Sequence, residues 1–87
     1  MNESIFYIHL RAVDIADFVS ITEKSSKIIH VTNGKAVANA KSLIGMMSLV
    51  RDNPKHLTVI YPNDDGKYDR DVVNQIKSKY EVFTSES

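Results

Sequence analysis

Hydrophobic side chains recur along this chain with two different periods, and each period predicts one kind of secondary structure. Alternation with a period of two predicts strands at Ser4–Leu10, Lys27–Val31, Lys35–Ala38 and His56–Tyr61. A period of three to four predicts helices from Ala12 to about Lys24, from Lys41 to Val50 and from about Lys67 to Glu81. The order β-α-β-β-α-β-α therefore predicts an α/β (α+β) two-layer open-faced sandwich, with a four-stranded antiparallel sheet and three helices on one face.

Three short segments predict how these elements begin and turn. Asn33-Gly34 between two strand-like runs predicts a hairpin turn, because glycine tolerates the positive φ that tight turns need. Ser42 stands where it can cap the second helix, and Asp14 either caps the first helix or places charge in its first turn. Gly45 inside the second helix predicts close approach by another surface.

Composition restricts the class of protein further. With 87 residues the chain is expected to be a single domain spanning residues 1–87. Eleven basic and eleven acidic side chains give no net charge, which argues against direct binding to nucleic acid or to an anionic membrane. The absence of cysteine excludes disulfides and thiolate chemistry. No apolar run predicts a membrane span and no segment predicts export, so we expect a cytoplasmic protein.

The segment Asn33 to Leu49, NGKAVANAKSLIGMMSL, resembles HPr, the histidine-containing phosphocarrier protein of the bacterial sugar phosphotransferase system. HPr proteins carry an NGK turn followed by KS-[IL]-[MIF]-G-[VLM]-MSL, and this chain departs from that string by one extra residue between Lys35 and Lys41. The resemblance implies an HPr-like fold with the strand order one-four-two-three. It also implies a protein that is not itself an enzyme, needs no cofactor, and has phosphotransferase components among its protein partners.

The resemblance fails at the residue that carries phosphate in this family. HPr proteins present a histidine at the start of the first helix in the pattern G-[IL]-H-x-R-P-A. Ungapped alignment back from Phe18 places Arg11 at that histidine, Val13 at the arginine and Asp14 at the proline. Because a guanidinium stays protonated, Arg11 cannot accept a phosphoryl group as a nucleophile. The sequence thus predicts a non-carrier, and the alternative is a phosphocarrier that uses a shifted histidine, His9, with Arg11 beside it.

Ser42 matches the serine that a dedicated HPr kinase phosphorylates in Gram-positive members of the family. There the phosphoserine protein binds a LacI-type repressor, so the resemblance implies a regulatory phosphorylation site at Ser42. It also implies a partner-binding surface beside that serine, consisting of Arg11, Leu43, Ile44, Met46 and Met47. The alternative is that Ser42 is only a helix cap and that some of these apolar side chains fill the core.

The open face of the predicted sheet carries two further hypotheses. His9, His30 and His56 are expected at one end of that face, where three imidazoles could bind Zn²⁺ or Ni²⁺, although polar residues are also ordinary on a solvated strand face. We expect no metal there as the leading interpretation. The same face is expected to carry Ile5, Tyr7, Ile28 and Ile60, which favours a dimer or partner surface and leaves a monomer or a homodimer open.

Overall fold

The computed structural model describes residues 3–52, 57–62 and 67–82. Its strands are β1 (Glu3–Ile8), β2 (His30–Thr32), β3 (Val37–Asn39), β4 (Leu57–Pro62) and β5 (Glu81–Val82). Its helices are α1 (Ile15–Thr22), which follows a single 3₁₀ turn at Ala12–Asp14, α2 (Leu43–Asp52) and α3 (Lys67–Tyr80). All strand pairs are antiparallel, and the sheet order is β3-β2-β4-β1-β5. The α+β sandwich and the order of its first four strands are confirmed.

The sheet has one strand more than the sequence predicted. The last helix ends at Tyr80 rather than Glu81, and the next two residues pair with the outer edge of β1, Glu81 opposite Ile8 and Val82 opposite Tyr7. Strand β1 would otherwise leave backbone N–H and C=O groups unpaired on that edge. The added strand satisfies part of that edge, a tertiary effect that helical periodicity does not encode.

Alternation along the strands places one set of side chains in the core. Phe6, Ile8 and Leu10 are buried, as predicted, and so are the inward residues of β4, Leu57, Val59 and Tyr61. The helices contribute the rest of the apolar interior, mainly through Ile15, Phe18, Val19, Ile21, Met46, Leu49, Val50, Val72 and Ile76. The described helices all pack on this one face, and none of the described residues covers the opposite face of the sheet.

The hairpin between β2 and β3 confirms the prediction from Asn33-Gly34. Gly34 has φ +94°, the left-handed region that disfavours other side chains. The Asn33 side chain accepts hydrogen bonds from the backbone N–H groups of Lys35 and Ala36, each at 2.9 Å. This amide closes the turn from inside, since Asn33 is itself buried.

One carboxylate that was expected on the exposed side of the last helix is instead buried. Asp69 is only 6% exposed and accepts hydrogen bonds from the hydroxyls of Ser25 and Tyr61, the latter at 2.6 Å. Ser25 also accepts the Lys27 N–H at 3.0 Å, so this loop, β4 and α3 are joined by one polar cluster. The prediction was wrong because it weighed charge alone and could not see these donors. Asp71 is exposed as predicted, and Glu81 is half-buried in β5.

No helix among the described residues is long and apolar enough to cross a membrane.

Candidate functional site

A surface groove of about 1010 Å³ separates the start of the first helix from α2. Its lining is largely apolar and includes Ala12, Ile15, Leu43, Met47 and Val50. Three nitrogen-bearing side chains, His9, Arg11 and Arg51, also line it. No carboxylate is among the described residues that line it, so the groove is a mixed apolar and basic surface on a chain with no net charge.

Arg11 occupies the N-cap position of the 3₁₀ turn that leads into α1. Its backbone is extended there, with φ −91° and ψ 165°. The carboxylate of Asp14 accepts the Arg11 backbone N–H at 2.9 Å, the Nε–H at 3.1 Å and an Nη2–H at 3.2 Å. Asp14 therefore does not cap through its own side chain onto α1 but binds back to the residue three positions earlier.

The Arg11–Asp14 contact fixes the charge of both groups. The hydrogen bonds from the Arg11 side chain, followed by that from its backbone N–H, lower the pKa of Asp14. The same carboxylate raises the pKa of Arg11 above its ordinary value, chiefly through the side-chain hydrogen bond. The Arg11 side chain is 70% exposed, so solvent screens the pair strongly. The pair has a local consequence, because the Asp14 carboxylate already accepts hydrogen bonds from the Arg11 guanidinium and from the Arg11 backbone N–H.

His9 lies in the link between β1 and the 3₁₀ turn, and it is exposed. Its backbone N–H donates to the Tyr80 carbonyl at 3.0 Å, which anchors the link to the end of α3. His9 and Arg11 line the same groove. The structure thus brings together the two residues of the shifted-histidine hypothesis, the second of which is bound by the Asp14 carboxylate.

A second cluster of side chains joins α1 to the end of α3. The Asp17 carboxylate on α1 accepts the Tyr80 hydroxyl and also the Lys79 Nζ, the latter at 3.0 Å. The bonds from Tyr80 and then Lys79 lower the pKa of Asp17. Burial, followed by the bond to Asp17, raises the pKa of Tyr80. The Tyr80 ring also meets Phe18 edge-on at 6.1 Å between centroids. The start of the first helix is therefore held against α3.

Ser42 caps α2, as predicted. Its Oγ accepts the Gly45 N–H at 3.1 Å, and its carbonyl accepts the Met46 N–H at 2.9 Å. The Ser42 side chain is exposed beside the groove, next in the chain to the groove residue Leu43. The Ser42 hydroxyl is therefore accessible to another protein although it caps the N-terminus of α2.

Two neighbours of Ser42 set its position. The Asn39 Oδ1 accepts the Lys41 N–H at 2.8 Å, and the Asn39 carbonyl accepts the Ser42 N–H at 2.9 Å. A Cβ built on Gly45 would lie 3.2 Å from the Ala38 Cβ and 3.1 Å from the Ser42 Oγ. The close approach predicted from Gly45 is thus to β3 and to the cap itself. The one extra residue between Lys35 and Lys41, relative to the HPr pattern, therefore does not remove the Ser42 cap of α2.

Comparison with known proteins agrees with this geometry. No protein-family model and no curated sequence matches the chain. Among solved structures, the crystal structure of HPr-C-His from Thermoanaerobacter tengcongensis matches it with a TM-score of 0.66 and 31% sequence identity, over 91% of this chain and 94% of that chain. The chain belongs to the HPr family. It is a phosphocarrier homologue in which Arg11 is the N-cap of the 3₁₀ turn that leads into α1.

The apolar surface expected beside Ser42 in this HPr homologue is only partly present. Ile44, Met47 and Leu43 are 82%, 53% and 47% exposed and line the groove from α2, whereas Arg11 lines it from the first helix. Met46 is fully buried, and its assignment to the partner-binding surface is wrong. Its side chain points into the core because helical geometry turns it away from Met47 by about 100°.

The groove also contains an arginine that the sequence analysis overlooked. Arg51 lies four residues after Met47 and seven after Ile44, which is the spacing of one helix face. It lines the groove near the end of α2, whereas Arg11 lines it from the first helix. The helical spacing was a usable signal for its position, but nothing in the sequence marked that face as one wall of a groove.

His9 and His30, two of the three histidines considered for a metal site, lie far apart in the sheet. His30 is the first residue of β2 and pairs with Ile60, which pairs with Ile5 on β1. His9 comes four residues after Ile5, so it lies about 13 Å further along the sheet and about two strand spacings away. The sequence pattern placed His30 late in the second strand, whereas β2 begins at His30. His30 therefore lies at the opposite end of the sheet from His9. His56 lies outside the described residues, among which no metal-binding group of three is formed.

Proposed function

We propose that this HPr homologue is a non-carrier regulatory protein that binds protein partners through its groove and is modified at Ser42. The observation that carries the proposal is the Arg11–Asp14 contact at the start of the first helix. That position belongs to the phosphate-carrying histidine in the pattern this chain resembles.

Phosphoryl transfer to this site meets two obstacles. A guanidinium offers no lone pair for attack on phosphorus, so Arg11 cannot replace the histidine. The Asp14 carboxylate already accepts the Arg11 N–H and guanidinium hydrogens, and its negative charge opposes an incoming phosphate. Both obstacles come from local chemistry at the helix start.

Partner binding is supported by what lines the groove. Exposed aliphatic and thioether groups on α2 offer area for hydrophobic burial, and methionine adapts to differently shaped surfaces. Arg51 lines the groove beside these apolar side chains and provides bidentate donors for carboxylates or for a phosphate of a partner. The partners proposed from the resemblance are an HPr kinase, a LacI-type repressor and phosphotransferase components.

Modification of Ser42 is compatible with the fold. A phosphoserine at a helix N-terminus is stabilised by free N–H groups and by the helix dipole. The Ser42 Oγ already accepts one such N–H, from Gly45. Phosphate at this position would place negative charge beside Leu43 and so alter which partners the groove accepts.

The proposal is tested by two phosphorylation reactions on the same protein. With phosphoenolpyruvate and enzyme I we expect no acid-labile phosphate on this chain, whereas an authentic HPr is labelled in parallel. With HPr kinase and ATP we expect acid-stable phosphate on a peptide containing Ser42. The Ser42→Ala variant, as matched control, should lose that label completely. Acid-labile label without Ser42 label would contradict the proposal.

A second candidate function, phosphocarrier activity at His9, is favoured by one observation. His9 and Arg11 line the same groove, so an imidazole lies in the groove together with the guanidinium that Asp14 binds. If His9 carries phosphate, the acid-labile label from enzyme I disappears in His9→Ala and remains in Ser42→Ala. This pair of variants separates the two functions in a single experiment.

A further inference from the structure

Lys41, the residue before the Ser42 cap, is tied to the loop that links α1 to β2. Its Nζ donates to the Ser25 carbonyl at 2.5 Å, and the residue is half-buried. Among the residues that the structure describes, this ammonium has no carboxylate partner. A lysine ammonium has three N–H donors and a full positive charge, so a single neutral carbonyl leaves most of its binding capacity unused.

Ser25 connects this lysine to a buried polar cluster. The Ser25 hydroxyl donates to the Asp69 carboxylate on α3, which also accepts the Tyr61 hydroxyl of β4 at 2.6 Å. The same Ser25 hydroxyl accepts the Lys27 backbone N–H at 3.0 Å. Ser25 and Asp69 are buried, so the hydrogen bond between them is shielded from water. Through Ser25, the ammonium of Lys41 is therefore joined to α3 and to β4.

We infer that Lys41 binds a phosphate on Ser42 and leaves the Ser25 carbonyl to do so. The inference rests on the proposed function, because it concerns the modified form of Ser42. Neighbouring Cα atoms are about 3.8 Å apart, so the flexible four-carbon stem of Lys41 can reach a phosphate on the next residue. That phosphate carries a charge of about −1.5 to −2 near neutral pH, whereas the carbonyl is a neutral dipole. The pairing of opposite charges is therefore stronger than the bond that the ammonium gives up.

Loss of the bond to the Ser25 carbonyl loosens the loop and leaves the neighbouring contacts in place. The Ala40 N–H donates to the Ile29 carbonyl at 2.8 Å, and the Ala40 carbonyl accepts the Thr22 hydroxyl at 3.1 Å. All three of these residues are fully buried and are held independently of the ammonium. The change is therefore a local opening rather than a loss of global stability. In this way the state of Ser42 is transmitted to the loop between α1 and β2.

The full 87-residue chain, synthesised chemically with phosphoserine in place of Ser42, tests the inference without any kinase. The Lys27 N–H donates to the Ser25 hydroxyl, so its hydrogen exchange should be at least about fivefold faster than in the unmodified chain. Exchange at Ala40 should stay the same within about twofold, because its hydrogen bond is kept. In Lys41→Met, which lacks the ammonium from the start, the phosphate should not change exchange at Lys27.

Phosphorus NMR measures the pairing itself through the second pKa of the phosphoserine, which is ordinarily about 6. An adjacent ammonium favours the dianion, so this pKa should be lower in the wild-type chain than in Lys41→Met by at least about 0.5. Lys41→Arg keeps the positive charge and should restore the lower pKa. Lys35→Met removes an exposed lysine from the hairpin and, as the matched control, should titrate like the wild type.

An unchanged exchange rate at Lys27 overturns the inference, and so does a phosphate pKa that is the same in the wild type and in Lys41→Met. Slower exchange at Lys27 also overturns it, because the ammonium would then bridge the phosphate and the Ser25 carbonyl. Exchange in the wild-type chain decides the release from Ser25 even if circular dichroism shows that Lys41→Met does not fold. A kinase that fails to modify Ser42 contradicts the proposed function and changes none of these results.

Discussion

The two helix starts that border the groove solve the same problem in different ways. At the first, the Asp14 carboxylate satisfies the Arg11 backbone N–H and also holds the Arg11 guanidinium. At the second, the Ser42 hydroxyl satisfies the Gly45 N–H and holds nothing else that carries a charge. Free N–H groups at a helix start attract anions. At the first helix the acceptor is an anion of the chain itself, the Asp14 carboxylate, whereas at α2 it is the neutral Ser42 hydroxyl.

This difference determines what each start can do. The Asp14 carboxylate at the start of the first helix repels a further negative charge. It also accepts the Arg11 hydrogen bonds that a phosphate bound there would need. The Ser42 cap is neutral, so no negative charge compensates the positive potential at the start of α2. Ser42 also presents a hydroxyl of the kind that phosphorylation modifies. In the proposed function, carrier chemistry and serine modification depend on separate helix starts, so that the first is lost while the second is kept.

The largest expected effect concerns what holds α2 in place beneath Ser42. Met46 is fully buried and Met47 is 53% exposed, one residue apart on the same helix. Met46→Ala should lower the free energy of unfolding by about 2–5 kcal/mol, because it removes apolar contacts and leaves a cavity. Met47→Ala, the matched control, should change it by about 0.5 kcal/mol or less. Urea denaturation followed by circular dichroism measures both, and equal losses would contradict the burial assigned to Met46.

A smaller effect tests the Ser42 cap directly. Ser42→Ala should lower the free energy of unfolding by about 1 kcal/mol, because the Gly45 N–H loses its acceptor. Ser42→Asp should stay within about 0.5 kcal/mol of the wild type, since a carboxylate also caps and favours a helix start. Ser48→Ala, at an exposed position inside α2, controls for the loss of a hydroxyl. If Ser42→Ala and Ser48→Ala are equally stable, the cap contributes nothing.

Much of this architecture was predictable from periodicity and turn chemistry. The alternation of Phe6, Ile8 and Leu10 gave the buried face of β1, Asn33-Gly34 gave the hairpin, and Ser42 gave the start of α2. Each of these signals is local, because it depends on residues within a few positions of one another. The HPr family followed from a contiguous string around Ser42 for the same reason.

What was not predictable depended on contacts between segments distant in the sequence. Asp69 is buried because Ser25 and Tyr61 supply donors from two other elements. Strand β5 exists because β1 offers an open edge, and His30 is far from His9 because of the register of β4. The exposure of Met47 and burial of Met46 depended on which face of α2 meets the sheet. Charge and residue type alone do not contain this information.

The smallest effect we expect is the acid sensitivity of the first helix start. Because Arg11 lowers the folded-state pKa of Asp14 below its ordinary 3.8, the unfolded chain binds protons more readily. The contribution of Asp14 to stability is therefore complete above that ordinary pKa and is lost as the pH falls through the lower, folded value. Asp14→Asn should flatten the decline in the denaturation midpoint below about pH 4, and Asp71→Asn, at an exposed position on α3, serves as its control.

Salt sharpens this prediction, because the Arg11 guanidinium is exposed to solvent. Raising the ionic strength to about 1 M shortens the screening length to about 3 Å and should reduce the difference between wild type and Asp14→Asn. Asp17, whose pKa Tyr80 and Lys79 lower, contributes acid sensitivity of the same sign and remains in both proteins. Wild-type and Asp14→Asn midpoints that decline in parallel would mean that Asp14 is no more acidic in the folded chain than in the unfolded one. The guanidinium would then be free to receive a phosphate, and the contrast between the two helix starts would fail.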